Sequence, residues 1–398
     1  MRLVACYASD FYDWRTGVFE YHPPLEQRHE VVQQNMVGFD REWSALHGLS
    51  LLEKQRWLGV LQGLIDELAD PATPAEQQML AKLLNDQGDL YLSLGEYKLA
   101  KPCYEKALAI REQVLGKQHP SYAGSLNNLA ELYRAQGQYE PALPLYQEAL
   151  KIREQVLGKH HPDTAQSLDN LAVSYYSQGQ YEQALPLYQE ALKIREQVLG
   201  KQHPDYASSL NNLAELYYWQ GQYEQALPLF QEALKIVEQV LGKQHPYYAG
   251  SLNNLAGLYE SQGQYDQALP LFQEVVKIFE QVLGKQHPHY ATSLNNLALL
   301  YDSQGQYEQA LPLHQEALKI REQVLGKQHP DTAWSIWSLA IYYEKMQDYE
   351  QALSLYQEAL KIFTEVLGEQ HPDTQMVKQN YLDCLSALGA GGGDKEFV

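Results

Sequence analysis

The chain has 398 residues, a formal net charge of −20 and 45% hydrophobic residues. That apolar share is ordinary for a folded protein, and the acidic balance argues against nucleic acid or an anionic membrane surface as the main partner. No run approaches the ~20 apolar residues of a membrane span, and the three cysteines (Cys6, Cys103, Cys384) are far apart with no CxxC pair. This usage fits a reducing cytoplasm and not a disulfide framework.

Residues 1–76 differ in character from the rest of the chain. Aromatic clusters (FYDW, VFEY) open the segment and Pro23-Pro24 breaks it; a helix is expected over 25–46. Leu3-Val4-Ala5-Cys6 resembles a lipoprotein cleavage box, but the apolar stretch before it is too short for a signal peptide. Ser50-Leu51-Leu52-Glu53 is a capping box. It launches a helix with Leu51, Leu58, Leu61, Ile65 and Leu68 on one face, and Asp70-Pro71 ends it. Residues 1–76 therefore read as a helical N-terminal capping region packed on the first repeat.

Repeats dominate the remainder. His-Pro pairs at 119, 161, 203, 245, 287, 329 and 371 fall at a constant spacing of 42. Each period reads as two amphipathic helices. In one copy Tyr122, Leu126, Leu129, Ala130 and Tyr133 form the apolar stripe of the first, which Gly137 ends. The second carries Ala142, Leu143, Tyr146, Ala149, Leu150, Ile152 and Val156, and Gly158 closes it. Pro162 then opens the next helix at a first-turn position. The pattern predicts seven units over 77–370, a polar capping helix over 371–389 and a flexible tail over 390–398. In the first unit, Gln77-Gln78 stand where His-Pro is expected. Pro144, Pro186, Pro228, Pro270 and Pro312 fall inside the second helix, where a proline costs roughly 3 kcal/mol and propensity offers no explanation.

These landmarks resemble the tetratricopeptide repeat. The small residue and aromatic of its first helix, its Gly-x-Tyr turn and its Ala-x3-aromatic-x2-Ala second helix are present as Ala130, Tyr133, Gly137-Gln138-Tyr139, Ala142, Tyr146 and Ala149. The 42-residue period, with a long second helix and a Leu-Gly-Lys-x-His-Pro linker, is similar to kinesin light chains and their bacterial relatives. The resemblance implies an all-α fold, a right-handed superhelical solenoid of antiparallel helix pairs. It also implies a protein-binding role without enzymatic activity. A motor subunit is not expected, because residues 1–76 are too few and too irregular for a heptad coiled coil.

SLNNLA recurs at 125–130, 209–214, 251–256 and 293–298, with SLDNLA at 167–172. Paired asparagines weaken a helix. The family resemblance implies that their side of the first helix lines the concave groove. There Asn127, Asn128, Asn170, Asn211, Asn212, Asn253, Asn254, Asn295 and Asn296 would form an amide ladder for an extended peptide. Bridging between helices, or an echo of duplication, are the alternatives. Variation between copies adds Glu131, Arg134, Tyr176, Glu215, Tyr218, Trp219, Glu260, Asp302 and Trp337 as candidate contacts. That groove is aromatic in its middle and acidic beyond, with Arg134 and Lys345 the basic candidates. The expected partner is a protein or peptide segment, neutral to basic, with aromatic anchors. The alternative is a regulatory subunit that clamps a folded enzyme.

Seven of the thirteen histidines belong to the His-Pro linkers, and ligands to one zinc must converge within about 2.1 Å of it. The linker histidines read as structural, and no metal or cofactor is expected. No phosphate-loop, nucleophile-elbow or zinc-protease pattern occurs. The sequence supports no catalytic residue.

Overall fold

The structure, a computed structural model, describes residues 12–13, 18–19 and 51–391. The expected helix over 25–46, the capping residue Ser50 and the tail beyond 391 lie outside them. The chain divides into two compact units, residues 1–134 with 140–156 and residues 135–139 with 157–398.

Among the described residues the first unit contains a two-residue antiparallel ladder, β1 (Tyr12–Asp13) on β2 (Val18–Phe19), and five helices. These are α1 (Leu51–Glu67), α2 (Pro74–Ser93), α3 (Tyr97–Leu115), α4 (Pro120–Ala135) and α5 (Tyr139–Val156). Trp57, Leu61 and Leu64 of α1 are buried against Leu80, Leu83 and Leu84 of α2. Of the face read from the sequence, Leu61, Ile65 and Leu68 belong to this cluster and Leu58 packs against it. Helix α2 begins at Pro74, ahead of the expected boundary at 77. The Thr73 hydroxyl accepts from the Glu76 N–H at 3.2 Å, and the Glu76 carboxylate accepts from the Thr73 N–H at 2.9 Å. This capping box replaces the His-Pro start.

The second unit continues as helix pairs. They are α6 (Pro162–Ser177) with α7 (Tyr181–Val198), α8 (Pro204–Trp219) with α9 (Tyr223–Leu241), and α10 (Pro246–Ser261) with α11 (Tyr265–Val282). The pairs α12 (Pro288–Ser303) with α13 (Tyr307–Val324) and α14 (Pro330–Lys345) with α15 (Tyr349–Val366) come next, and α16 (Pro372–Gly391) ends the array. Buried Ala172 and Ala184 let α6 and α7 approach closely. Tyr188 fills the space beside them, and Leu213 and Leu216 of the next pair complete the cluster. Ala214, Ala226, Phe230, Leu255 and Leu258 repeat it one pair later. No pair buries its core alone, which is why the chain stacks into a solenoid.

The linker histidine is a helix cap. Its Nδ1 accepts from the backbone N–H two residues on, 3.1 Å from Asp205 to His203 and 3.1 Å from Tyr247 to His245. An accepting Nδ1 leaves the proton on Nε2, so a neutral imidazole does the work of a capping serine or asparagine. Glycine then turns each pair. Gly179, at φ 70°, lets the Gln180 N–H reach the Tyr175 carbonyl at 2.9 Å. In the last pair Gln347 holds this conformation at φ 61°, the one non-glycine residue with positive φ among those described.

The interior prolines also find their reason here. Pro186, Pro228, Pro270 and Pro312 all lie on the exposed side of their helices. The carbonyl that each deprives of a donor sits four residues back on the same side, as at exposed Glu182. On that side the carbonyl faces solvent and needs no partner from the protein.

Candidate functional site

The first helices of successive pairs, α8, α10 and α12, lie side by side and carry the paired asparagines. The two members of a pair are placed differently. The first reaches toward the next helix: Asn211 Nδ2 donates to Ser251 Oγ at 3.2 Å, and Asn295 Nδ2 donates to Ser338 Oγ at 2.9 Å. The second member is half-buried at the surface of its helix, as at Asn128, Asn170, Asn212, Asn254 and Asn296. Asn296 Nδ2 donates to Asn253 Oδ1 at 2.8 Å, and Asn170 Oδ1 accepts from Gln166 at 2.9 Å. Asn212 and Asn254 make no side-chain hydrogen bond within the described residues.

Beneath this face runs a column that sequence reasoning missed. One position of the second helix holds Arg111, Arg153, Arg195 and Arg321, but Val237, Phe279 and Phe363 in the other pairs. Arg195, 4% exposed, donates to the Asp169 carboxylate, to the Ser209 hydroxyl and, at 3.2 Å, to Gln166 Oε1. The aspartate of SLDNLA is thereby explained: Asp169 is the counter-ion of a buried guanidinium. Burial presses the Asp169 carboxyl upward while Arg195 pulls it back. Arg321 donates to Ser335 Oγ and Thr292 Oγ1, both at 2.8 Å, and to the Asp331 carbonyl at 2.9 Å.

Where the arginine is missing, space opens. Val237 and Phe279 floor a cavity of about 380 Å³ that reaches from α8 across α10 to α12. Its walls include Asn211, Asn253 and Asn254, with Tyr247 and His289 beside them. Gly250, also in the lining, occupies the position that Trp334 holds two pairs later. There the Trp334 indole, partly exposed, lies over the equivalent floor, 4.5 Å from the Trp337 ring and 6.0 Å from Phe363. A second cavity of about 150 Å³ shares Asn253 and Asn254 and adds Glu215, Tyr218 and Trp219. Trp219 is 57% exposed and meets the Tyr218 ring edge-on at 5.4 Å. Desolvation of the carboxyl by its neighbours raises Glu215 above the usual range, opposed by the hydrogen bond from the Tyr176 hydroxyl.

The remaining expected contacts are largely engaged within the fold. Glu131 accepts from Arg134 at 2.8 Å and from the Tyr146 hydroxyl at 2.9 Å, so this acid and base hold each other. The Tyr176 hydroxyl donates to Glu215 at 3.4 Å, Tyr218 bonds the Ser261 hydroxyl at 2.7 Å, and Glu260 accepts from Ser303 at 3.3 Å. Four expected surface residues lie in the interior instead: Asn127, Asn295, Asp302 and Trp337. Asp302 and Asn295 are drawn inward by His314, which replaces the usual Tyr or Phe. Its Nε2 lies 2.9 Å from the Asp302 carboxylate and its Nδ1 lies 2.9 Å from Asn295 Oδ1. Trp337 is covered by Trp334. Signals for the missed residues were present in the sequence, since the arginine column breaks at 237 and 279.

Among the described residues, no three His, Cys, Asp or Glu side chains gather as metal ligands, and no helix is long and apolar enough to cross a membrane. The architecture defines a class: a helical-repeat scaffold for protein–protein interaction. The tetratricopeptide repeat model matches residues 79–155, 125–197, 163–218, 205–281, 247–323, 303–365 and 336–390. The chain belongs to the tetratricopeptide repeat family, in its kinesin-light-chain-like form.

It is similar to the solved structure of BtubC (BKLC) from P. vanneervenii, with 27% identity and a TM-score of 0.50 over 58% of this chain and 92% of that one. A protein from Podosopora anserina described as a kinesin light chain with nearly identical TPR-like repeats is 30% identical, with a TM-score of 0.43. That match covers 51% of this chain and 97% of that one. A Rap protein complexed with Competence and Sporulation Factor shares the fold at 18% identity and a TM-score of 0.57. It covers 92% of this chain and 99% of that one. No curated protein matches the chain in sequence.

Proposed function

We propose that the face formed by the first helices binds an extended segment of a partner protein, and that the protein is a non-enzymatic cytoplasmic adaptor. The observation that carries this reading is the pair of adjoining cavities on that face, walled by the amides of Asn253 and Asn254. An extended segment exposes N–H and C=O groups that side-chain amides satisfy without reading its side chains. Asn212 and Asn254, unused by the fold, are the principal contacts. Asn170, Asn211, Asn253 and Asn296 extend the set within the second unit, each on its own first helix. Glu215 and Glu260, with the aromatic rings of Tyr176, Tyr218 and Trp219, favour a neutral to basic segment with aromatic anchors.

The test is a random-peptide display selection on the purified chain, repeated on Asn212→Ala/Asn254→Ala. Peptides that enrich on the parent and are lost from the double variant support the reading. Equal enrichment on both would assign the asparagines to structure alone.

A further inference from the structure

We infer that α8, α10 and α12 form two adjoining side-chain subsites, which together read an aromatic residue and a lysine or arginine two positions apart in an extended segment. This rests on the peptide-binding reading above and adds the identity of the segment.

The aromatic subsite is the cavity over Val237 and Phe279, and the chain itself shows what fits it. Gly250 and Phe279 are the counterparts, two repeats earlier, of Trp334 and Phe363. In the later repeat the indole of Trp334 sits edge-on to Phe363 with ring centroids 6.0 Å apart. With glycine at 250 that indole is absent, and the cavity over Val237 and Phe279 is lined instead by the His289 ring, stacked on Phe279 at 5.8 Å, with room beside it for a ring brought by a partner. Where Arg195 and Arg321 stand at the floor position, their guanidinium groups occupy this layer and bond the neighbouring serines. Val237 forms no such bonds, and Ser251 accepts from Asn211 instead. An aromatic side chain seated on Phe279 gains both burial and ring-edge contact.

The second subsite has the opposite character. Glu215 stands beside Tyr218 and exposed Trp219, and neither cavity has a lysine or arginine in its lining among the described residues. The Glu215 carboxylate accepts from the Tyr176 hydroxyl at 3.4 Å and forms no ion pair among the described residues. A cation placed there meets an unneutralised carboxylate and an indole face together. Asn253 and Asn254 form the wall common to both subsites, where their amides meet the backbone between the two side chains. In an extended chain, alternate residues point the same way about 6.8 Å apart, so adjoining subsites select positions i and i+2.

The test uses a phage-displayed random dodecapeptide library on the full chain and on four variants. Gly250→Trp installs the indole found at 334; a Cβ at Gly250 meets nothing within 4 Å. Val237→Arg restores the arginine column, Glu215→Gln removes the charge, and Gly250→Ser is the small-residue control. The parent and Gly250→Ser are expected to enrich an aromatic residue two positions from Lys or Arg. Gly250→Trp and Val237→Arg should each lower recovery of those peptides at least tenfold, and Glu215→Gln should keep the aromatic preference and lose the basic one. If Val237→Arg fails to fold, Gly250→Trp alone decides. Enriched peptides that lack the pair, or that bind Gly250→Trp as well as the parent, overturn this inference and leave the peptide-binding reading standing. No enrichment on the parent overturns both.

Discussion

Arg195→Val places in the third repeat the residue that the fourth carries at Val237. The change strands the Asp169 carboxylate, which is 3% exposed and loses its only charged hydrogen-bond donor. Removing one partner of a buried ion pair costs about 3–5 kcal/mol, because an uncompensated charge remains. The compensating change is also written in the chain, since the fourth repeat pairs Val237 with Asn211. Arg195→Val/Asp169→Asn should therefore return to within about 1 kcal/mol of the parent, replacing a buried pair by a neutral set. The new amide then donates to Ser209 as Asn211 donates to Ser251.

Urea denaturation monitored by circular dichroism measures this, fitted with a nearest-neighbour model because repeat arrays do not unfold in one step. The deficit of the single variant should shrink on going from pH 7.5 to pH 5, as the stranded carboxylate takes up a proton and ceases to be a buried charge. A single variant within about 1 kcal/mol of the parent, or a double variant no better than the single, would refute the reasoning.

The local geometry sets three further outcomes. His245→Ala should cost about 1 kcal/mol by removing the cap on α10, whereas His245→Asn should cost a few tenths, read as melting temperatures. Gln347→Gly relieves a left-handed non-glycine residue and should stabilise the last repeat by about 1 kcal/mol. Asp89 accepts from the Tyr104 hydroxyl at 2.7 Å, yet burial raises its carboxyl to about 6 from 3.8. The folded state holds the proton more tightly than the unfolded one. The resulting stabilisation is full below about pH 4 and is lost as pH rises through 6, worth on the order of 2–3 kcal/mol. Denaturation of Asp89→Asn across that window should show a correspondingly flatter pH dependence.

Much of the architecture was legible in the sequence, because near-identical copies make a 42-residue period visible without any alignment. Gly179 and its counterparts mark the turns, and Ala172, Ala184 and Tyr188 mark the helix contacts. The separate roles of the paired asparagines were not legible. A helical wheel puts both Asn211 and Asn212 off the apolar stripe; only the neighbouring helix, with Ser251 at 3.2 Å, distinguishes them. Asp302 read as a groove acid for the same reason, since His314 lies on a different helix. The break in the arginine column at Val237 and Phe279 was visible as variation. Its meaning depends on that column lying under the asparagine face, which periodicity within one helix does not reveal.

The central claim is that α8, α10 and α12 present the binding face, and a crystal structure of the full chain with an enriched peptide tests it most directly. An extended peptide should lie over Asn253 and Asn254, its aromatic ring on Phe279 and its basic side chain beside Glu215 and Trp219. A peptide seated on the exposed side of the second helices, along the row of Pro186, Pro228 and Pro270, would contradict it.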